Sequence, residues 1–89
     1  MIATLITTDG VYRQLSDGNR DTLHEHLGAQ FDMLTLTDTT DMWISDDPHH
    51  AHTLNPEATQ IAAQAGFPIE VYGTAIVLTA PQPAYALAH

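Results

Sequence analysis

The clearest structural signal in the chain is the stretch Asn55-Pro56-Glu57-Ala58-Thr59-Gln60-Ile61-Ala62-Ala63-Gln64-Ala65-Gly66-Phe67-Pro68. Asn55 is a favoured N-cap residue, and Pro56 suits the first position of a helix. The apolar side chains then recur with the 3.6-residue period of a helix, and Gly66 and Pro68 end it. The stretch therefore predicts a helix that packs closely, through small alanine side chains, against a sheet.

Segments on both sides of this helix alternate apolar and polar side chains, which is typical of strands. We predict strands at residues 1–7, 11–15, 31–37, 42–44 and 69–79. Apolar residues occur on both faces of the third of these, which indicates a central strand covered on two sides. A shorter helix is predicted from about Arg20 to Leu27, between the turn cluster at residues 16–19 and Gly28.

The resulting order, ββαββαβ, predicts a single α+β domain over residues 1–79. We expect a mostly antiparallel sheet of about five strands with both helices on one face, compatible with a ferredoxin-like arrangement plus an extra hairpin strand. The chain of 89 residues is long enough for one core. Residues 80–89 form a tail in which Tyr85 and Leu87 offer apolar contacts, so we expect it to be mobile or to form an interface.

Eleven carboxylates face two arginines and no lysine, which gives a formal net charge of −9. Direct binding to nucleic acid or to an anionic membrane depends on Lys and Arg, so this composition argues against both. A soluble, acidic protein that binds another protein with a basic surface is the class that remains. Acidity of the whole proteome, without any site-specific role, is the alternative explanation.

The carboxylates are densest between residues 38 and 47, where a tryptophan lies among them. We predict a protein-binding site made of Asp38, Asp41, Trp43, Asp46 and Asp47. The four aspartates would face a basic groove, in the extreme case as a mimic of DNA, and Trp43 would be an apolar anchor. A solvated acidic edge and a tryptophan buried in the core are the structural alternatives.

A histidine-rich segment follows directly. Carboxylate and imidazole are ligands of Zn²⁺ and Ni²⁺, so the alternative prediction is a metal site at Asp47, His49, His50 and His52. His24 and His26 on the first helix could add a second element, although side chains two residues apart diverge on a helix. A solvated loop without metal explains the same residues.

Motifs for catalysis are missing from the sequence. It has no cysteine, no Gly-x-Ser-x-Gly nucleophile elbow and no glycine-rich phosphate loop. We therefore expect a protein that is not an enzyme and holds no cofactor. Residues 1–7 lack the features of a signal peptide, and the apolar run at residues 69–80 is too short to span a membrane, so we expect a cytoplasmic protein.

Five short motifs occur in a familiar order: Asp9-Gly10, Leu23 to Leu27-Gly28, Met42-Trp43-Ile44, Asn55-Pro56-Glu57-Ala58-Thr59, and Tyr72-Gly73-Thr74 with Ile76-Val77. Over residues 1–79 the chain thereby resembles a family of small actinobacterial and phage proteins catalogued as domain of unknown function 3846. The resemblance implies a fold and a phage or actinobacterial setting, and no reaction.

Together these features favour a small acidic protein-binding protein, with an accessory or regulatory role in a phage or mobile element. Two alternatives stay open. One is the metal-binding protein described above, and the other is a homo-oligomeric assembly protein, such as a homodimer, formed through a sheet edge or the helix face at residues 58–65.

Overall fold

Seven elements follow one another in the computed structural model, which describes residues 2–46 and 53–80. They are β1 (Ile2–Ile6), β2 (Tyr12–Leu15), α1 (Arg20–Leu27), β3 (Phe31–Thr37), β4 (Thr40–Ser45), α2 (Pro56–Gln64) and β5 (Ala75–Thr79). The predicted order ββαββαβ and the α+β class are confirmed. No helix in these ranges is long and apolar enough to cross a membrane.

The five strands form one antiparallel sheet in the order β2-β1-β5-β4-β3. The last strand along the chain, β5, is therefore the central one, and it pairs with β1 and β4. The prediction that residues 31–37 form a central strand is wrong, because β3 lies at one edge of the sheet. Its apolar residues occur on both faces because both faces of the whole sheet are covered.

The two helices lie on opposite faces of the sheet, so the prediction that they share one face is also wrong. Trp43 and Ile76 pack in the same core as α1, whereas their chain neighbours Met42 and Ala75 pack in the core that contains α2. Successive side chains of a strand point to opposite faces, so these are two separate layers. A chain order alone does not specify the face to which each connection crosses.

Large side chains build the layer on the α1 side. Leu23 and Leu27 of α1 are buried, at 4% and 0% exposure, among residues of β1 and β5. Phe31 and Trp43 extend this layer toward β3, with their rings edge-to-face and 5.3 Å between centroids. We call this layer the α1 core.

Small side chains build the layer on the α2 side. Ala58 and Ala62 are fully buried against Met42, Val71 and Ala75. Alanine at these positions lets the helix backbone come close to the sheet, as the sequence predicts. We call this layer the α2 core.

The last predicted strand is shorter than expected, because only residues 75–79 join the sheet. Upstream, Val71 instead bonds to the segment before α2 and to α2 itself. Its carbonyl accepts the Asn55 N–H at 2.7 Å, and its own N–H donates to Thr59 Oγ1 in α2 at 2.8 Å. Gly73 then turns the chain into β5 with a φ of 79°, a conformation that favours glycine.

Candidate functional site

The β3–β4 hairpin, residues 31–45, forms one edge of the sheet and carries a concentration of carboxylates. Asp32 lies on β3, Asp38 in the turn and Asp41 on β4, and Asp46 follows the last residue of β4. Asp32, Asp38 and Asp46 are exposed, and Asp41 is half-buried. The hairpin contains no Arg or Lys, so its charge is of one sign.

The pairing of the two strands fixes where these carboxylates lie. Phe31 pairs with Ser45 and Thr37 with Thr40, and a register shift between Thr35 and Thr37 precedes the turn. Beyond the strand ends, the N–H of Asp46 donates to the carbonyl of Gln30 at 2.9 Å, which holds Asp46 beside the start of β3.

The predicted binding aspartates line the hairpin and do not form one cluster. Asp38 and Asp46 lie at opposite ends of β4, whose six residues span about 20 Å. Asp41 pairs with Leu78 of the α1 core, so it lies on the α1 face of the sheet. Asp47 lies outside the described residues.

Trp43 is half-buried against the α1 core. Its indole Nε1 is enclosed and has no hydrogen-bond partner among the described residues. The large apolar side chain that β3 presents to solvent is that of Met33, which is 45% exposed and pairs with Trp43 across the hairpin. Sequence reasoning missed Met33, although its alternation with Asp32 and Leu34 places it on a defined face.

Neither arginine neutralises the hairpin. Arg13 and Arg20 form no ion pair with any carboxylate of residues 2–46 and 53–80. Arg13 lies on β2, which is four strand spacings, or about 19 Å, from β3. This separation exceeds the screening length of about 8 Å at physiological salt, so Arg13 does not offset the negative charge of the hairpin.

A shallow apolar groove lies where the hairpin turn meets the end of α2. Its volume is about 280 Å³, and its walls are Leu36, Thr37, Thr40, Ile61, Gln64 and Ala65. The last described residue, Ala80, lies beside the same turn, since its N–H donates to the Thr39 carbonyl at 2.7 Å. Tyr85 and Leu87 of the predicted tail lie outside the described residues.

The predicted metal ligands Asp47, His49, His50 and His52 also lie outside the described residues. Within residues 2–46 and 53–80, no three His, Asp or Glu side chains are grouped so as to hold a metal ion. His24 is engaged locally: its Nδ1 is 3.1 Å from the Gly28 carbonyl oxygen, and its ring meets Phe31 edge-on.

Among the described residues, three ionisable groups away from the hairpin have shifted pKa values. The hydroxyls of Tyr12 and Tyr72 donate to Glu57 and Glu70 at 2.8 Å and 2.7 Å, and these hydrogen bonds raise the pKa of each tyrosine. The pKa of Asp17 is lowered, first because it accepts a hydrogen bond from the Thr22 hydroxyl and second because it accepts the Asn19 N–H.

No protein-family model, curated protein or solved structure matches this chain. The resemblance to domain of unknown function 3846 therefore stays a prediction. The geometry and charge of the β3–β4 hairpin are the main basis for a function of the chain.

Proposed function

We propose that this chain is a small acidic protein, without catalytic activity, that binds a basic surface of another protein through its β3–β4 hairpin. The observation that carries the proposal is that aspartates are distributed along the whole edge hairpin, on both faces of the sheet, with no Arg or Lys among them; we call them the acidic row. Asp38, Asp41 and Asp46 belong to this row, and Asp47 follows Asp46 in the sequence.

The spacing of the row favours an extended basic surface over a single cationic residue as the complement. Carboxylates distributed over about 20 Å reach several Lys or Arg side chains at once, whereas a compact cluster reaches one or two. Such complementarity raises the association rate and makes it sensitive to salt. A DNA-binding partner, whose groove normally accepts phosphates, is one case of this class.

Apolar contact at the hairpin comes from Met33, which is exposed beside the acidic row. Trp43 lies beside Met33 on the same face of the sheet, since the two residues pair across the hairpin, and Trp43 packs into the α1 core. Trp43 thus acts by holding the hairpin in place, and Met33 takes the anchoring role that the sequence assigns to Trp43.

A charge-neutralising triple variant tests the proposal. Asp38→Asn, Asp41→Asn and Asp46→Asn together remove three negative charges from the hairpin. The matched control, Asp21→Asn with Glu25→Gln and Glu70→Gln, removes three charges from exposed positions elsewhere. Each protein is used for affinity capture from the native host, and the captured partner is then titrated in purified form.

We expect the hairpin variant to bind the partner about tenfold more weakly, because several exposed ion pairs are lost together. The control variant should bind as the native chain does, and the affinity of the native chain should fall as salt increases. A partner that both variants bind equally, or whose binding is insensitive to salt, would contradict the proposal.

The second candidate function is metal binding by the histidine-rich segment. One observation favours it: the Ser45 hydroxyl donates to the Leu27 carbonyl at 2.7 Å, so the strand that leads into the segment ends beside the end of α1. His24 and His26 lie in that last turn. Zn²⁺ or Ni²⁺ would then be bound by His49, His50, His52 and Asp47, with a histidine of α1 as a further ligand.

Calorimetry with Zn²⁺ and with Ni²⁺, on untagged and chelator-treated protein, tests this second function. We expect stoichiometric heat that is lost in His50→Ala and unchanged in the hairpin triple variant. Metal binding by this segment is contradicted if no stoichiometric heat is observed, or if His50→Ala gives the same heat as the native chain.

A further inference from the structure

The outer edge of β3 presents backbone groups that no described strand pairs with. The hydrogen bond from Asp46 to Gln30 identifies these two as a hydrogen-bonded pair of the antiparallel ladder. Such pairs alternate with non-hydrogen-bonded ones, so Asp32 and Leu34 bond to β4. The N–H and C=O groups of Phe31, Met33 and Thr35 therefore point away from the sheet.

The opposite edge strand, β2, is protected in ways that β3 is not. It has four residues against seven in β3, and it carries the cation Arg13. The first of its residues, Tyr12, is tied to α2 by the hydrogen bond to Glu57. Short length and exposed charge are usual protections of edge strands. The protection of β3 is limited to Asp32 and to the register shift beyond Thr35, so residues 31–35 keep a regular register along the open edge.

We infer that β3 accepts an extended basic segment of the partner protein as a sixth strand of the sheet. This inference rests on the proposed function and specifies how the partner binds. Charge selects the occupant: Asp32 lies on the strand, and Asp38 and Asp46 lie beyond its two ends. An added strand would therefore gain from cationic side chains along its length and at its ends.

The two faces of β3 define the pattern of the added strand. Met33 and Thr35 lie on the α1 face, and Asp32 and Leu34 lie on the α2 face. Side chains of adjacent strands meet directly on each face. The segment therefore places apolar residues beside Met33 and Lys or Arg beside Asp32, in alternation.

A second copy of the chain fits this edge less well. Each copy carries a net charge of −9, so pairing two β3 strands brings like charges together and leaves the aspartates of both copies without a cation. Strand addition by a basic segment uses the same backbone groups and neutralises those aspartates. Charge complementarity thus selects the basic segment.

The probe is a labelled peptide of the length of β3 in which lysine and valine alternate, titrated against the full chain at low salt. A scrambled peptide of the same composition keeps the charge and removes the alternation. We expect the alternating peptide to bind at least fivefold more tightly than the scrambled one. Amide hydrogen exchange should slow at Phe31, Met33 and Thr35, the three residues whose N–H groups point outward.

Backbone methylation tests the hydrogen bonds themselves. Two further peptides carry N-methyl groups on all valines or on all lysines. For antiparallel addition the valine N–H groups face β3, so methylation of valines should weaken binding about tenfold, and methylation of lysines should change it little. The reverse asymmetry would indicate parallel addition, which is also strand pairing.

Two variants at Met33 test the same backbone hydrogen bonds by changing the protein instead of the peptide. Met33→Pro removes one outward N–H and leaves the bonds to β4 in place, whereas Met33→Ala removes only the side chain. We expect binding of the alternating peptide to fall further in Met33→Pro than in Met33→Ala. Should Met33→Pro fail to fold, the methylated peptides still decide the question.

Four outcomes would overturn the inference. The first two are that the alternating and scrambled peptides bind equally well, and that the two methylations weaken binding equally. The third is that hydrogen exchange at Met33 does not change when the peptide binds. The fourth is that sedimentation shows a dimer that the peptide does not dissociate. Such a dimer would show that a second copy of the chain occupies the edge of β3. A fifth outcome separates the two proposals. If a natural partner binds the hairpin triple variant weakly but binds Met33→Pro as tightly as Met33→Ala, the proposed function stands and strand addition fails.

Discussion

The two helices begin with the same local motif and depend on it to different degrees. Each is capped by an asparagine whose side-chain oxygen accepts a backbone N–H at 3.1 Å, from Thr22 at Asn19 and from Ala58 at Asn55. Asn19 is exposed, whereas Asn55 is fully buried. Asn55 also donates from Nδ2 to the carbonyls of Ile6, at 3.0 Å, and Gly73, at 2.9 Å.

The difference shows that a capping residue can also hold the tertiary structure. Asn55 joins the start of α2 to the end of β1 and to the turn before β5, and its amide has partners for both its donor and its acceptor. Asn19 does none of this, and α1 is held by the burial of Leu23 and Leu27. One face of the sheet is thus fixed by a buried polar group and close packing, the other by large apolar side chains.

Of the variants that test this comparison, a replacement of Asn55 is expected to lower the free energy of unfolding the most. Asn55→Ala removes the cap and one hydrogen-bond donor from each of the Ile6 and Gly73 carbonyls. A lost cap costs about 1 kcal/mol, and the loss of each of these buried hydrogen bonds about 1 kcal/mol more. We expect the free energy of unfolding to fall by about 3 kcal/mol or more, measured by urea unfolding with circular dichroism and Trp43 fluorescence.

The matched control is Asn19→Ala, which removes the cap of α1 and no other hydrogen bond of that side chain. A loss of about 1 kcal/mol is expected. Equal losses in the two variants would show that burial adds nothing to the role of Asn55. The single tryptophan lies in the α1 core, so agreement of its fluorescence with circular dichroism also tests whether both faces unfold together.

Enlarging a buried alanine of α2 tests whether this helix is closely packed against its face of the sheet. Ala62→Leu adds volume to a fully buried position in the α2 core, where the helix backbone lies close to the sheet. Overpacking of this kind costs about 1–3 kcal/mol, so we expect a loss of about 2 kcal/mol in urea unfolding.

Ala63→Leu is the control for the previous variant, since Ala63 is the next residue of the helix and is exposed. Both substitutions change the helix propensity equally, and only the first fills the core. A loss in Ala62→Leu no larger than in Ala63→Leu would contradict close packing on the α2 side.

Local signals in the sequence were sufficient to predict the helices and strands, but not how these elements are arranged in the fold. The cap, proline and glycine around α2 act within one turn of the chain, so residues 56–64 were predictable almost to the residue. The face that each helix occupies depends on contacts between segments far apart in sequence, such as Trp43 with Ile76. The position of β3 at an edge depends on the same long-range pairing.

The negative charge of the candidate site could be predicted from the sequence, but the positions of its residues relative to one another could not. Counting carboxylates locates the acidic region around residues 38–47, because charge is a property of composition. Separating Asp38 from Asp46 requires knowing that a strand runs between them. Met33 was missed because its exposure follows from the edge position of β3, which no local pattern indicates.

The smallest expected effect concerns pH and the start of α1. Asp17 accepts hydrogen bonds from the Thr22 hydroxyl and the Asn19 N–H, and these bonds hold the pKa of its carboxyl below the ordinary value. A carboxyl whose pKa is lower in the folded state contributes stability above its unfolded pKa of about 3.9. This contribution is lost as the pH falls through the lower folded value.

Thermal unfolding as a function of pH, for the native chain and for Asp17→Asn, isolates this group from the other carboxylates. The variant keeps a side-chain oxygen as acceptor and loses the charge, so we expect it to unfold at a slightly lower temperature near neutral pH. The difference should shrink as the pH falls below the unfolded value and Asp17 of the native chain becomes protonated. A difference that persists unchanged in acid would show that it comes from the side chain itself, and that the charge of Asp17 does not stabilise the start of α1.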